Sequence, residues 1–430
     1  MCRGVITAIT AVLVTLVLAG CGVNPVTGER ELRLISQSEE IAIGEEHYGP
    51  TQQSLGGPYN ADPELVEYVR RIGHRVAEQS GRPGLPYEFA VLNDSIPNAW
   101  ALPGGKIAIN RGLLLAMENE AELAAVLGHE ITHSAARHGA QRIERGVVLQ
   151  AGVAVAGLAT RDHELHALIV GGAGLGAVLI SQKYSRNAEL EADYHGTRSM
   201  AAAGYDPAGA VTLQEKFVQL ADAGDRGWLD GLFASHPPSD ERVEANRRTA
   251  RELRDKHSDE FPHGLGVERY ASHTRRLHET QDAYAAYDEG RRALADGDAA
   301  RALVLADRAV LAHEGEAAFH ALRGAALVRL DRDDEAAGAL DRALSLNDGY
   351  FAIHLERGLL AEQRGEWRLA RSHLERSNQL LPNAPAHFTL GALAERRGDG
   401  DAASRHYRAA AQSDSGYGRR AREALVRLEG

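Results

Sequence analysis

Gly128-His129-Glu130-Ile131-Thr132-His133 is the stretch on which the reading of the whole chain turns. As a helix it sets His129 and His133 one turn apart on one face, where two imidazole nitrogens can close on a single Zn²⁺ while Glu130 faces the metal's open position. A carboxylate beside such a position is what metal-assisted hydrolysis needs of a general base. The flanks agree with a helix, since Glu120 to His138 carries Ala121, Leu123, Ala124, Val126, Leu127 and Ile131, enough apolar residues to be buried on most sides. A lone histidine in a buried helix is ordinarily a hydrogen-bonded core residue. Two at i, i+4 with a glutamate beside the first have no such cheap explanation. His138, five residues past His133, falls off the ligand face and reads as structural.

A zinc site that works on a substrate needs a third protein ligand and keeps its fourth position for water. Both cysteines, Cys2 and Cys21, lie at the extreme N-terminus, so the ligands must be histidine and carboxylate. The candidate is Ser185-Arg186-Asn187-Ala188-Glu189-Leu190-Glu191-Ala192-Asp193. In a helix Glu189 and Asp193 share a face and Glu191 points elsewhere. Glu189 can ligate zinc while Asp193 orients a ligand histidine from behind.

Around these helices the pattern is mixed. Ser36 with Glu39, or Ser38 with nearby carboxylates, marks a helix start, and Asp62-Pro63 opens a helix running to about Gln79 with Leu65, Val69, Ile72 and Val76 on one stripe. Tyr87–Leu92 and Lys106–Asn110 have strand character, and Gly112–Met117 begins another helix. Between the strands, Ile96 to Gly105 is either a plain loop or an exposed edge segment, with Asn98, Ala99, Trp100 and Ala101 placed to receive an extended peptide as an added strand. Two apolar runs, Gly146–Thr160 and Ala167–Ser181, are each shorter than the ~20 residues that span a bilayer and read as a helical hairpin packed in or over the domain, the alternative being a segment that touches the membrane.

At 430 residues the chain suggests two or three domains, and a formal net charge of −12 argues against nucleic acid as a partner. Arg3 precedes an uncharged run from Val5 to Ala19 that ends in Leu18-Ala19-Gly20-Cys21, which resembles the bacterial lipobox, with Cys21 the lipidated first mature residue. Gly22 in the next position favours the periplasmic face of the outer membrane over inner-membrane retention.

His129-Glu130-Ile131-Thr132-His133 followed by Glu189-x-x-x-Asp193 resembles the zinc metallopeptidase family of the CAAX prenyl proteases, to which a bacterial heat-shock membrane protease and periplasmic outer-membrane-assembly peptidases also belong. Asn24-Pro25-Val26-Thr27-Gly28, Asn98 to Gly105 and Ser235-His236-Pro237-Pro238 are similar to segments of its secreted members, and the match covers roughly residues 24 to 250. The resemblance implies an endopeptidase of gluzincin-type fold, a short sheet beside two zinc-binding helices. His129, His133 and Glu189 match its zinc ligands and Glu130 its general base. His236 matches a histidine that in secreted relatives approaches the metal and holds the enzyme off, or else helps stabilise the transition state.

Further on, Gly290, Gly324, Gly358 and Gly391 recur at spacings of 34, 34 and 33 residues, each followed twelve residues later by alanine. The period resembles the tetratricopeptide repeat, whose helix pairs stack into a superhelix. His320, His354 and His387 share one repeat position, which places them on successive units rather than round one ion.

The expectation is a mainly α, α+β chain: signal peptide 1–20, lipid-anchored segment 21–35, gluzincin-type metallopeptidase domain 36–255 with a small sheet and one Zn²⁺, linker 256–282, and an α-solenoid of tetratricopeptide repeats over 283–430. The expected function is cleavage of envelope polypeptides on the periplasmic side of the outer membrane, with the repeats binding clients or assembly machinery. The alternative is a chaperone or assembly scaffold with little or self-inhibited activity.

Overall fold

Asn24 closes a turn between two short strands, β1 (Cys21–Val23) and β2 (Arg30–Leu32), paired antiparallel with Gly22 opposite Glu31. Its side-chain oxygen accepts from the Val26 and Thr27 amides at 2.9 and 3.2 Å, the turn an asparagine makes with its own backbone. The computed structural model describes residues 21–155, 180, 183–222, 226–256 and 261–429. The expected signal segment, and the expected apolar hairpin beyond Val155 except for Ile180, lie outside the described residues. No helix among the described residues is long and apolar enough to cross a membrane. The chain divides into two compact units, one of Met1–Thr51 with Glu64–Arg275 and one of Gln52–Pro63 with Arg276–Gly430.

In the first unit, the Ser36–Glu39 capping box forms as expected and starts α1 (Gln37–Ser54). The Ser36 amide donates to Glu39 Oε2 at 2.8 Å, and the Glu39 amide to Ser36 Oγ at 3.3 Å. Helix α2 (Pro63–Ala77) buries Leu65, Val69, Ile72 and Val76 on its apolar stripe. A three-stranded sheet follows, β3 (Glu88–Leu92), β4 (Ala99–Leu102) and β5 (Lys106–Asn110), in the order β3-β5-β4. β5 runs parallel to β3 and antiparallel to β4 and is buried along its whole length.

After α3 (Arg111–Ala116), the side chain of Asn119 accepts from the Glu122 amide and starts α4 (Glu120–Ala135), every residue of which is buried. Its acidic first turn is neutralised: Lys216 reaches Glu122 at 3.1 Å and Arg269 reaches Glu120 at 2.9 Å. Helix α4 stops where Arg137 adopts a left-handed φ of 64°, and α5 (His138–Val155) begins at once. Ser185 then caps α6 (Arg186–Ala202), followed by α7 (Ala208–Asp222), α8 (Arg226–Ser235) and α9 (Asp240–Lys256).

α4 and α6 cross at Gly128 and Gly196. A Cβ on Gly196 would lie 2.7 Å from the Gly128 carbonyl carbon, and one on Gly128 2.8 Å from the Gly196 oxygen. This backbone-to-backbone approach brings His129 and Glu189 onto facing surfaces. Gly196→Ala is therefore expected to cost roughly 1–3 kcal/mol, read as a lower denaturation midpoint; an unchanged midpoint would mean the helices do not approach so closely.

The stretch expected as a linker, 256–282, is largely structured. Its helix α10 (Val267–Glu279) belongs to the first unit as far as Arg275, where the Tyr270 hydroxyl donates to the Leu114 carbonyl and His273 stacks on Tyr68 at 3.9 Å. Its buried Tyr270, Thr274 and Leu277 form a short helical stripe, so the segment has a core of its own to contribute.

In the second unit the helices pair as the repeat period requires: α11 (Gln281–Ala295) with α12 (Ala299–Ala312), α13 (Ala317–Arg329) with α14 (Asp333–Leu346), α15 (Phe351–Gln363) with α16 (Trp367–Leu380), and α17 (Ala384–Arg396) with α18 (Gly400–Ala411). Helix α19 (Gly416–Glu429) follows. The repeat glycines mark the crossings, since a Cβ on Gly324, Gly358 or Gly391 would meet Leu340, Leu374 or Tyr407 at 2.6 to 2.8 Å. Gln53 belongs to this unit, its side chain bridging Gly349 O and the Phe351 amide at 2.8 Å each.

Candidate active site

Four buried side chains from three places in the sequence converge: His129 and His133 from α4, Glu189 from α6, and His236 from the turn after α8. Helix α4 supplies two ligands one turn apart, and α6 sets Glu189 and Asp193 one turn apart on the face toward them. His236 is fixed by its backbone, which donates from its amide to the Leu232 carbonyl at 2.8 Å.

The donor atoms form a compact figure. His129 Nε2 lies 3.0 Å from His133 Nε2 and 3.2 Å from His236 Nδ1. Glu189 Oε1 lies 3.3 Å from His133 Nε2 and 3.1 Å from His236 Nδ1. A tetrahedral zinc ion with bonds of about 2.0–2.1 Å requires edges of about 3.3 Å between its donors. These four edges come close to that length, and three imidazoles with one carboxylate are a donor set that suits zinc.

The outward-facing atoms are also engaged. His129 Nδ1 lies 2.9 Å from Asp193 Oδ1, so the tautomer that donates to Asp193 leaves Nε2 free as a ligand. Arg242 on α9 donates to both Asp193 oxygens at 2.6 and 2.8 Å and stands 2.8 Å from Glu189 Oε2. Tyr184 stacks on His133 at 3.8 Å between ring centres, with the Arg142 guanidinium 4.1 Å over the tyrosine ring.

Glu130 lies beside this set with Oε1 3.6 Å from His236 Nε2. Its Oε2 is buried without a hydrogen-bond partner among the described residues, an oxygen kept free to take a proton.

Charge follows the geometry. Burial pushes the Glu130 carboxyl up, only partly opposed by His236 and His129. Burial acts on Asp193 in the same sense, but the Arg242 guanidinium outweighs it and holds the carboxyl below its usual range. Glu189 is held well below its usual range against burial, by His236, His129 and the bonds from His133 and His236. Burial drives His133 well below the ordinary imidazole range, into the neutral form a ligand needs.

Residues 96–105 prove to be neither a bare loop nor an exposed segment. They contain β4, with Ala99, Trp100 and Ala101 buried and Asn98 partly so. The Asn110 amide donates to the Asn98 carbonyl at 2.8 Å, and Ala99 stands opposite Ile109. In that register the amides and carbonyls of Ala99 and Ala101 point away from β5 along the sheet edge. Ala99 lines the same cavity as His129, Glu130 and His236. What the edge offers a peptide is backbone rather than side chains.

Two residues escaped the reading of the sequence. Arg242 is one of several arginines on α9 and nothing local distinguishes it, whereas Tyr184 directly precedes the Ser185 cap. His138, placed off the ligand face, has its Nδ1 2.7 Å from His133 Nδ1.

A buried helix bearing two zinc-binding histidines and a free glutamate, crossed by a second helix that supplies a carboxylate, defines the zinc-peptidase class of site. Residues 63–250 match the model of Peptidase family M48. Among curated relatives, the chain is 33% identical over 223 residues to the mitochondrial metalloendopeptidase OMA1 of Schizosaccharomyces pombe, covering 51% of this chain and 63% of that one. It is 31% identical over 201 residues to a putative beta-barrel assembly-enhancing protease of Vibrio cholerae, covering 45% and 41%. With the Escherichia coli beta-barrel assembly-enhancing protease it is 28% identical over 227 residues, covering 51% and 45%. The chain thus spans from about two fifths to somewhat under two thirds of these relatives. A crystal structure of a thermophilic tetratricopeptide protein from Thermus thermophilus superposes with a TM-score of 0.31 at 20% identity, over 50% of this chain and 97% of that one.

Proposed function

We propose that the chain is a zinc-dependent endopeptidase, lipid-anchored through Cys21 on the periplasmic side of the outer membrane, that hydrolyses envelope polypeptides and uses its repeats to bind clients or assembly machinery. The observation that carries this reading is the compact buried set of His129, His133, Glu189 and His236 with Glu130 beside it. The names of the bacterial relatives, which speak of beta-barrel assembly, support the envelope substrate class.

His129, His133 and Glu189 would hold a zinc ion, which when bound would supply Lewis acidity to an attacking water and a scissile carbonyl. The residues do the rest. Glu130 accepts the proton of the attacking water at its free oxygen and delivers it to the leaving amine, and burial raises its proton affinity toward the range that serves both steps. Asp193, itself clamped by Arg242, holds His129 in the ligand tautomer and orientation. The outward amides and carbonyls of Ala99 and Ala101 hold the substrate extended beside the cleft.

His236 takes the vertex that a substrate or water requires, which supports a resting form held off by its own fourth ligand. This is also the observation that favours the scaffold alternative. Casein distinguishes the two. The enzyme reading expects cleavage that a chelator stops and zinc restores, whereas a scaffold would leave casein intact even with His236 replaced by alanine. For the anchor, Cys21→Ser is expected to release the protein from the membrane fraction; retention in the bilayer would rule out lipidation as its attachment.

A further inference from the structure

Among the described residues, His133 has no carboxylate behind it. Where His129 leans on Asp193, the outer nitrogen of His133 meets another imidazole, with Nδ1 to Nδ1 of 2.7 Å to His138. The far nitrogen of His138, Nε2, lies 3.3 Å from Glu191 Oε1. One assignment of protons satisfies every atom: His133 donates from Nδ1 to His138, and His138 donates from Nε2 to the Glu191 carboxylate. His133 Nε2 is then left bare toward the centre of the site. The carboxylate makes a neutral imidazole a better acceptor.

The turn that aims His138 is built by the N-terminal hairpin. Its pivot is Arg137, buried and left-handed at φ 64°, a conformation that strains a residue with a side chain. Arg137 is held by ion pairs to Glu31, Glu40 and Glu144, the last at 3.0 Å, and it donates to the Ile35 carbonyl at 2.8 Å. Glu144 in turn accepts from the amides of Leu34 and Ile35 at 2.9 Å each. Asn24, whose oxygen closes the hairpin turn, donates from its nitrogen to the Ala136 carbonyl at 3.0 Å and to Glu31 at 2.9 Å. The Asn-Pro-Val-Thr-Gly stretch therefore ends on the residue two before His138.

We propose that His138 is the positioning residue of His133, acting with Glu191. We further propose that the hairpin of residues 21–35, through Asn24 and the Arg137 turn, sets the zinc affinity of the site by fixing where His138 stands. The proposal rests on the zinc reading above. The N-terminal segment is then part of the active-site scaffold and not merely a tether.

The test uses the full chain and measures zinc affinity in competition with a chromophoric chelator, alongside the melting temperature of the zinc-free protein. His138→Ala is expected to weaken zinc binding about ten- to a hundredfold, the usual effect of losing such an outer partner, with little change in the zinc-free melting temperature. His138→Asn puts an acceptor oxygen where Nδ1 stood and is expected to recover most of the affinity. Asn24→Ala is expected to weaken zinc binding as well, and the double variant Asn24→Ala/His138→Ala to lose no more than His138→Ala alone, because both act through one contact. Affinity within twofold of wild type for His138→Ala overturns the proposal. So does an asparagine no better than alanine, and additive losses in the double variant overturn the hairpin's part in it. Failure of the wild-type chain to bind zinc would instead overturn the zinc reading.

Discussion

Glu130→Gln is expected to bind zinc as the wild type does and to lose peptide hydrolysis by a factor on the order of 10²–10⁴, the contribution of a positioned general base. The substitution keeps the shape of the side chain and removes only the ability to take a proton. Glu130 stands beside the donor set rather than in it, with its Oε1 3.6 Å from His236 and its Oε2 unpartnered among the described residues. Loss of activity with zinc retained is therefore the signature of the assigned role. Full activity would sink it, and loss of zinc along with activity would make Glu130 a ligand or a structural support.

His236→Ala is expected to have the opposite sign. With Nδ1 3.2 Å from His129 Nε2 and 3.1 Å from Glu189 Oε1, His236 fills the fourth corner of the set. Its removal opens the position at which water and a carbonyl must enter. If the open form is about 1–10% of the resting population, casein cleavage should rise about ten- to a hundredfold. A fall in cleavage would instead assign His236 to the transition state, the other role its family match allows.

Most of the site was legible because its signals are local. His129 and His133 at one-turn spacing, and Glu189 and Asp193 at the same spacing, each declare a shared helix face, and the structure brings those faces together. The capping box at Ser36 and Glu39 and the 34-residue period were legible for the same reason.

What escaped depends on contacts between distant segments. Arg242 is one charge on a charged helix until α9 is seen against Asp193. His138 lies outside the donor set as expected, but its contact with His133 was not foreseen, because the sequence reads as continuous helix to that point whereas Arg137 takes a left-handed turn for which no glycine or asparagine gives warning. β4 was hidden by the prolines and glycines that bracket its four residues, and α10 by its many charges.

X-ray absorption at the zinc edge, on the full chain and on His236→Ala, tests the central claim most directly, namely that these four side chains hold one zinc ion with His236 in the position hydrolysis needs. One zinc per wild-type chain with three imidazoles and a carboxylate, falling to two imidazoles, a carboxylate and a water oxygen in His236→Ala, is the result expected. An identical imidazole count in the two proteins, or no zinc in either, would contradict it.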